Sequence, residues 1–318
     1  MATEESTSPD SSKSAPEQLL GSVENSISKG TKHLIVAGLI LGAVVTGIYI
    51  AWTNSQLYTF DTGFALANQY DMLFDTATWA FPAAASVGLI GGGIASLASR
   101  PHSVTATKIE RHKPFGTFLE HWVMAAGLVL FVISYFALGF LMFPRLVTST
   151  ESVGFAINLH FIGGVFIAFA ASYHVASVIM GSRQFLFPTI SDLKMIPADL
   201  KSTLHSSDQP PATGQYRPMQ KAVYSIWAVT LAIVSIAAGI RIFPYIIGSG
   251  PIYGTAVTAQ GILTLIITVL LIGHIAYYTL IPSNRPLLMS MLTGWLPREY
   301  AEKYHDNWTK QLDQKQDQ

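Results

Sequence analysis

The chain has 318 residues, half of them hydrophobic, only 12% charged, with a formal net charge of zero; a soluble domain carries roughly a quarter charged residues. That balance excludes an ordinary soluble globule and offers no basic patch for nucleic acid. Cysteine is absent, which excludes iron–sulfur clusters held by this chain, disulfides and thiolate zinc sites, so any redox centre must use nitrogen, oxygen or thioether ligands.

Residues 1–32 are rich in Ser and Glu and lack a short basic stretch with a cleavage site. They read as a disordered tail rather than a signal peptide. Six stretches then follow without Lys, Arg, Asp or Glu: 34–52, 76–99, 122–144, 152–182, 222–240 and 252–282. A bilayer core needs about 20 such residues as helix, so the pattern predicts an all-α integral membrane protein with six transmembrane helices. The stretch 152–182 exceeds that need, which implies tilt or ends lying in the interface. The first two helices form an additional pair over 33–107. They carry Gly38-x3-Gly42 and Gly88-x3-Gly92, a spacing that permits close backbone approach or simply marks packing glycines. The remaining four helices and the following tail make a second unit over 108–310, and 311–318 read as a disordered end.

Charge sets the expected orientation. Of the 19 basic residues, all but Arg145 and Arg241 fall before the first helix, between the second and third, between the fourth and fifth, or after the sixth. The loop 53–75 on the other side carries Asp61, Asp71 and Asp75. By the positive-inside rule both termini and the 183–221 loop are cytoplasmic, an alternation that an even number of helices satisfies.

Nine histidines remain to be sorted. His102, His112 and His205 sit in polar loops, His33 borders the first helix and His305 lies in the tail; the first four read as solvated or interfacial. His121 opens the third helix, His160 and His174 lie in the fourth, and His274 lies in the sixth. An ionisable side chain within a membrane helix is costly and therefore a functional candidate. His160 and His174 are 14 residues apart, which places them on one face and about 21 Å apart along the axis. That is the vertical separation expected of two haems stacked across a bilayer. Helix direction brings His121, His174 and His274 to the cytoplasmic level and leaves His160 in the outer half. Two imidazoles at one level on antiparallel helices suit a shared haem iron within an apolar four-helix interior. The bland alternative is inter-helix hydrogen bonding. A histidine metal centre would need a carboxylate at membrane depth, and the sequence places none there.

Five motifs in order give a resemblance. They are Lys108-Ile-Glu-Arg111 followed by Glu120-His121-Trp122, Leu159-His160 with Gly163-Gly164, Tyr216-Arg217-Pro218-Met219-Gln220-Lys221, His274, and Gly294-Trp-Leu-Pro-Arg-Glu-Tyr300 through His305 and Trp308. Over about 108–310 this resembles the cytochrome b, or gamma, subunit of respiratory formate dehydrogenases, within the wider b561-like group that also serves hydrogenases and thiosulfate reductases. The resemblance implies b-type haem, with His121 and His274 on the inner haem and His160 on an outer one. It also implies a quinone near the inner haem, for which Gln220 and Arg217 are the candidate contacts. Expected partners are an iron–sulfur subunit and a catalytic subunit holding molybdenum or tungsten, in the inner membrane of a prokaryote.

Two departures bear on haem number. Gln260 stands where the family usually has the second outer-haem histidine, and His174 adds an imidazole at the inner level, as a replacement ligand or as a contact to quinone or to a haem propionate. One haem is expected and a second is left open. The chain is thus read as an electron-transfer subunit with no substrate-oxidising centre of its own. The rivals are a haem-poor membrane anchor and a histidine-lined transporter, the latter expected to show membrane-depth acids and broken helices.

Overall fold

A computed structural model describes residues 29–60, 72–181, 186–204, 210–242 and 250–316. His205 and most of the N-terminal tail lie outside the described residues. Six helices are long and apolar enough to cross a membrane: α1 (Lys29–Phe60), α3 (Ala80–Leu97), α4 (Leu119–Leu138), α5 (Thr150–Ile179), α7 (Pro218–Ile242) and α8 (Pro251–Thr279). A short helix α2 (Leu73–Thr76) precedes α3. The six agree with the charge-free stretches, because only a helix satisfies every backbone group within one apolar segment. The outward faces are studded with exposed Leu, Ile and Val, such as Leu39, Ile90, Ile133, Ile236 and Val269, as lipid-facing surfaces require.

α5 is the central element, packed against α1, α3 and α4. The crossing with α4 is close: a Cβ on Gly127 would lie 2.9 Å from the Gly163 carbonyl, and the reverse holds for Gly163. Side-chain-free backbones gain dispersion contact there, the usual currency of helix association in lipid. The two Gly-x3-Gly spacings part company. Gly88 and Gly92 of α3 sit directly on the α5 backbone at Phe169 and Tyr173, whereas Gly38 and Gly42 of α1 face open space. α7 and α8 pack mainly on one another and touch the α4–α5 side more sparingly. Leu128, Phe131 and Tyr135 meet Ile167, Val234, Leu263 and Ile267 in the core that joins the two halves.

The end of the bundle carrying most basic residues is closed by a cap that the sequence reading did not foresee. A two-stranded antiparallel ribbon pairs β1 (Lys108–Glu110) with β2 (Trp295–Pro297). Three helices surround β2: α9 (Arg285–Thr293), α10 (Arg298–Tyr304) and α11 (Asp306–Gln316). Ile109, Leu296, Tyr300, Ala301, Tyr304 and Trp308 form its core. Residues 311–316, expected as a disordered end, instead continue α11; Arg298 holds Asp313 at 2.8 Å and Lys310 pairs with Asp306 at 2.6 Å. The loop between the fourth and fifth membrane helices likewise contains α6 (Ile190–Leu204). It is fastened to α7 by Lys221–Asp192 at 3.0 Å and by the buried pair of Arg217 with Asp199.

Candidate haem site

A π-helical turn at Pro114–Phe118 leads into α4 and sets His121 on its first turn. The indole of Trp122 donates to the Met291 carbonyl at 3.0 Å, tying this turn to α9. From the opposite direction α8 brings His274, and the two rings stand 6.1 Å apart, centre to centre, with planes inclined by 37°. A metal–nitrogen bond of about 2 Å on either side, plus about 1 Å from each ring centre to its nitrogen, places two imidazoles on one iron about 6 Å apart. The pair therefore fits a bis-histidine haem iron.

Both rings open into a cavity of about 2990 Å³ between the α4–α5 and α7–α8 pairs. Its walls include Met124, Leu128, Trp227, Leu231 and Leu270, apolar surfaces suited to a macrocycle, with Gln220 and Arg111 towards the cap. Ordinary small-molecule pockets run to about 1,000 Å³, so this one has room for more than a single ligand. Among the described residues no cluster of three or more His, Cys, Asp or Glu exists to hold a bare metal ion.

His174 also lines the cavity, but both ring nitrogens are engaged. Nδ1 lies 2.9 Å from Glu120 Oε1 and Nε2 lies 2.6 Å from the Tyr224 hydroxyl. Glu120 corrects the expectation that no carboxylate reaches membrane depth: α4 starts earlier than its charge-free stretch and carries the acid on its first turn.

His160 is placed apart. It is packed against Phe131, ring centres 4.3 Å apart, and Tyr135 at 5.4 Å, and its Nδ1 meets Ser134 Oγ at 3.0 Å. Neither His160 nor Gln260 borders the cavity. Gln260, in the sixth membrane helix, accepts a hydrogen bond from Arg241. Among the described residues, those around His160 supply one imidazole with no second histidine opposite.

Of the two quinone candidates, Gln220 lines the cavity and donates to the Tyr278 hydroxyl at 3.4 Å. Arg217 is 1% exposed and turned away, its Nε on Asp199 Oδ1 at 2.6 Å and its Nη2 on the Asp199 carbonyl at 3.0 Å. Burial works against its charge, yet Asp199 outweighs that and holds the guanidinium pKa above its ordinary value. Its place is a clamp between α6 and α7.

Three histidines read as solvated or as tail residues prove buried in the cap region. His33 is 4% exposed, with Nε2 at 2.9 Å from the His112 carbonyl, and His112 and His305 are 3% and 0% exposed. Burial, then the nearby Arg111 charge, pushes the His305 pKa well below the usual imidazole range. Glu110 and Arg111, in the basic strip after β1's start, are also buried. The two end motifs of the resemblance, 108–111 and 294–300, are what make the ribbon, and Arg111 N–H donates to the Gly294 carbonyl at 2.8 Å.

Six helices long and apolar enough to cross a membrane, with a facing imidazole pair between four of them, are the architecture of a membrane cytochrome b. Residues 111–294 match the family described as prokaryotic cytochrome b561, more than half of the chain, and the protein belongs to that family. It is a multi-pass inner-membrane cytochrome that transfers electrons through b-type haem. No curated protein and no solved structure matches the chain.

Proposed function

We propose that this chain is a single-haem electron conduit between an iron–sulfur partner and a membrane quinone, with its basic end cytoplasmic. The facing pair His121 and His274 carries the reading, since it is the one place among the described residues where two imidazoles meet across a cavity of suitable size. Bound there, haem supplies reversible one-electron transfer. His121 and His274 would hold its iron through their ring nitrogens, with Leu128, Leu231 and Leu270 on the surrounding walls.

Room for a quinone beside it is supported by the volume of the cavity and by the polar side chains at its edge. Gln220, Tyr278 and the His174–Tyr224 pair are groups that hold or pass protons and hydrogen bonds. The placement of nearly all Lys and Arg at the cap end supports a cytoplasmic cap by the positive-inside rule. Resemblance over 108–310 favours a formate dehydrogenase type of partner, with hydrogenase or thiosulfate reductase partners as the related cases.

The test is a dithionite-reduced minus oxidised spectrum of the purified protein with haem counted as pyridine haemochrome. A b-type α-band at one haem per chain supports the reading. Two haems would mean that His160 finds a ligand other than Gln260. No haem would turn the protein into a membrane anchor or a histidine-lined transporter.

A further inference from the structure

Where the cavity meets the cap, buried polar groups use only part of their hydrogen-bonding capacity. Arg111 lines the cavity and is 3% exposed. Its Nη2 donates to the Gln215 carbonyl at 3.1 Å and to Gln220 Oε1 at 3.3 Å, while its Nε–H has no hydrogen-bond partner. His305, fully buried, pairs Nδ1 with the Gly214 carbonyl at 2.9 Å and leaves Nε2 unpaired. A carbonyl only accepts, so Nδ1 carries the proton in that bond. Gly214 and Gln215 are consecutive, so Arg111 and His305 bond to neighbouring carbonyls, and the Arg111 charge disfavours a proton on His305.

A buried guanidinium N–H without an acceptor costs about 1–3 kcal/mol or more, so Arg111 on the cavity wall calls for an anion. The iron ligands are near. The Tyr278 ring lies 4.9 Å from that of His274 with planes inclined by 59°, one helical turn or about 6 Å further along α8, and its hydroxyl accepts from Gln220, which in turn accepts from Arg111. The relay from Tyr278 through Gln220 therefore links the His274 side of the cavity to Arg111.

We propose that Arg111 anchors a propionate of the haem, donating Nε–H to its carboxylate. The proposal rests on the reading of His121 and His274 as the iron ligands. A carboxylate at this point offsets the burial of the Arg111 charge. Charge-assisted bonds of this kind fix the orientation of a bound carboxylate as well as its affinity. The other source of the same chemistry is a lipid phosphate.

The test is a cycle in the full-length chain produced without haem, titrated with protohaem or with its dimethyl ester and read by the reduced α-band. Esterification should weaken binding to the unmodified chain about tenfold or more, as should Arg111→Gln with protohaem. The two changes together should be no worse than the ester alone. Arg111→Lys, which keeps the charge and guards against a folding defect, should recover part of the affinity for protohaem and match the unmodified chain with the ester. Additive losses, or equal losses with both haems, overturn the proposal. Additive losses together with phospholipid phosphorus that copurifies with the unmodified chain and is lost in Arg111→Gln assign the anion to lipid instead. An unmodified chain that binds neither haem overturns the His121–His274 reading rather than the role of Arg111.

Discussion

Near the basic end, His121 and His274 stand 6.1 Å apart at the edge of a cavity of about 2990 Å³. Near the opposite end, His160 is enclosed by Phe131, Tyr135 and Ser134, and the helix position that would face it holds Gln260, already bonded to Arg241. Both regions put imidazole at membrane depth, where burial of an ionisable group is expensive. Only the first surrounds it with space and a second imidazole. The difference teaches that neighbours decide whether an intramembrane histidine stays open to a cavity or is taken up in packing and hydrogen bonding.

The largest expected effect lies at the inner pair. His274→Ala or His121→Ala should abolish low-spin haem absorbance, and an unchanged spectrum in both would remove the basis of the comparison. Next is the frame that positions the cap above this site. Asp199→Ala leaves Arg217 buried without its counter-ion, a loss of about 3–5 kcal/mol; thermal unfolding in detergent should show it, while a stability unchanged within error would mean the pair is not buried in the membrane-embedded protein. His174→Ala probes the boundary between the two kinds of histidine. Its ring nitrogens are committed to Glu120 and Tyr224, so haem content should hold while stability falls by about 1–3 kcal/mol. Loss of haem would make His174 an iron ligand.

Much of this arrangement was legible in the chain. The six charge-free stretches become the membrane helices because lipid tolerates no unsatisfied backbone, and antiparallel direction alone brings His121 level with His274. What was not legible depended on tertiary contact. The strip Lys108–Glu110 reads as a basic loop until Trp295–Pro297 pairs with it. His33 and His112 look solvated or interfacial in the sequence, and His305 looks like a tail residue, because the cap that buries them is made from segments far apart in the chain. Glu120 sits beside a stretch of apolar residues whose charge-free boundary begins two positions later, so a window scan places it outside the membrane. Gly38 and Gly88 carry identical spacings, yet only the second meets a neighbouring backbone; spacing states what a helix face permits and not which helix takes it.

A smaller effect separates the cap from the membrane core. In the unfolded chain an imidazole takes a proton near pH 6.5. In the folded cap, burial and the nearby Arg111 and Arg217 charges move that step for His305 well lower. Its contribution to stability is therefore intact above about pH 6.5 and is lost as pH falls from there towards the folded pKa, by at most about 1.4 kcal/mol per pH unit. Trp308, whose ring centre is 6.2 Å from His305, supplies a fluorescence reporter. His305→Asn should flatten the acid side of the stability profile, and a profile identical to that of the unmodified chain would show that another group sets it.

The smallest expected change tests the outer region most directly. Gln260→His restores an imidazole on α8 at the position facing the outer half of the bundle, and if ligand identity alone kept haem away from His160, a second haem should appear. The surroundings argue otherwise. Phe131 lies against the His160 ring, Ser134 occupies its Nδ1, and Arg241 loses its Gln260 acceptor without any space being opened. A macrocycle needs a cleft on both sides of its iron, and core side chains packed at crystal-like density do not yield one to a single substitution. Pyridine haemochrome should therefore still give one haem per chain. A value of two would show that the aromatic wall around His160 moves readily, and that one side chain rather than packing keeps haem from this region.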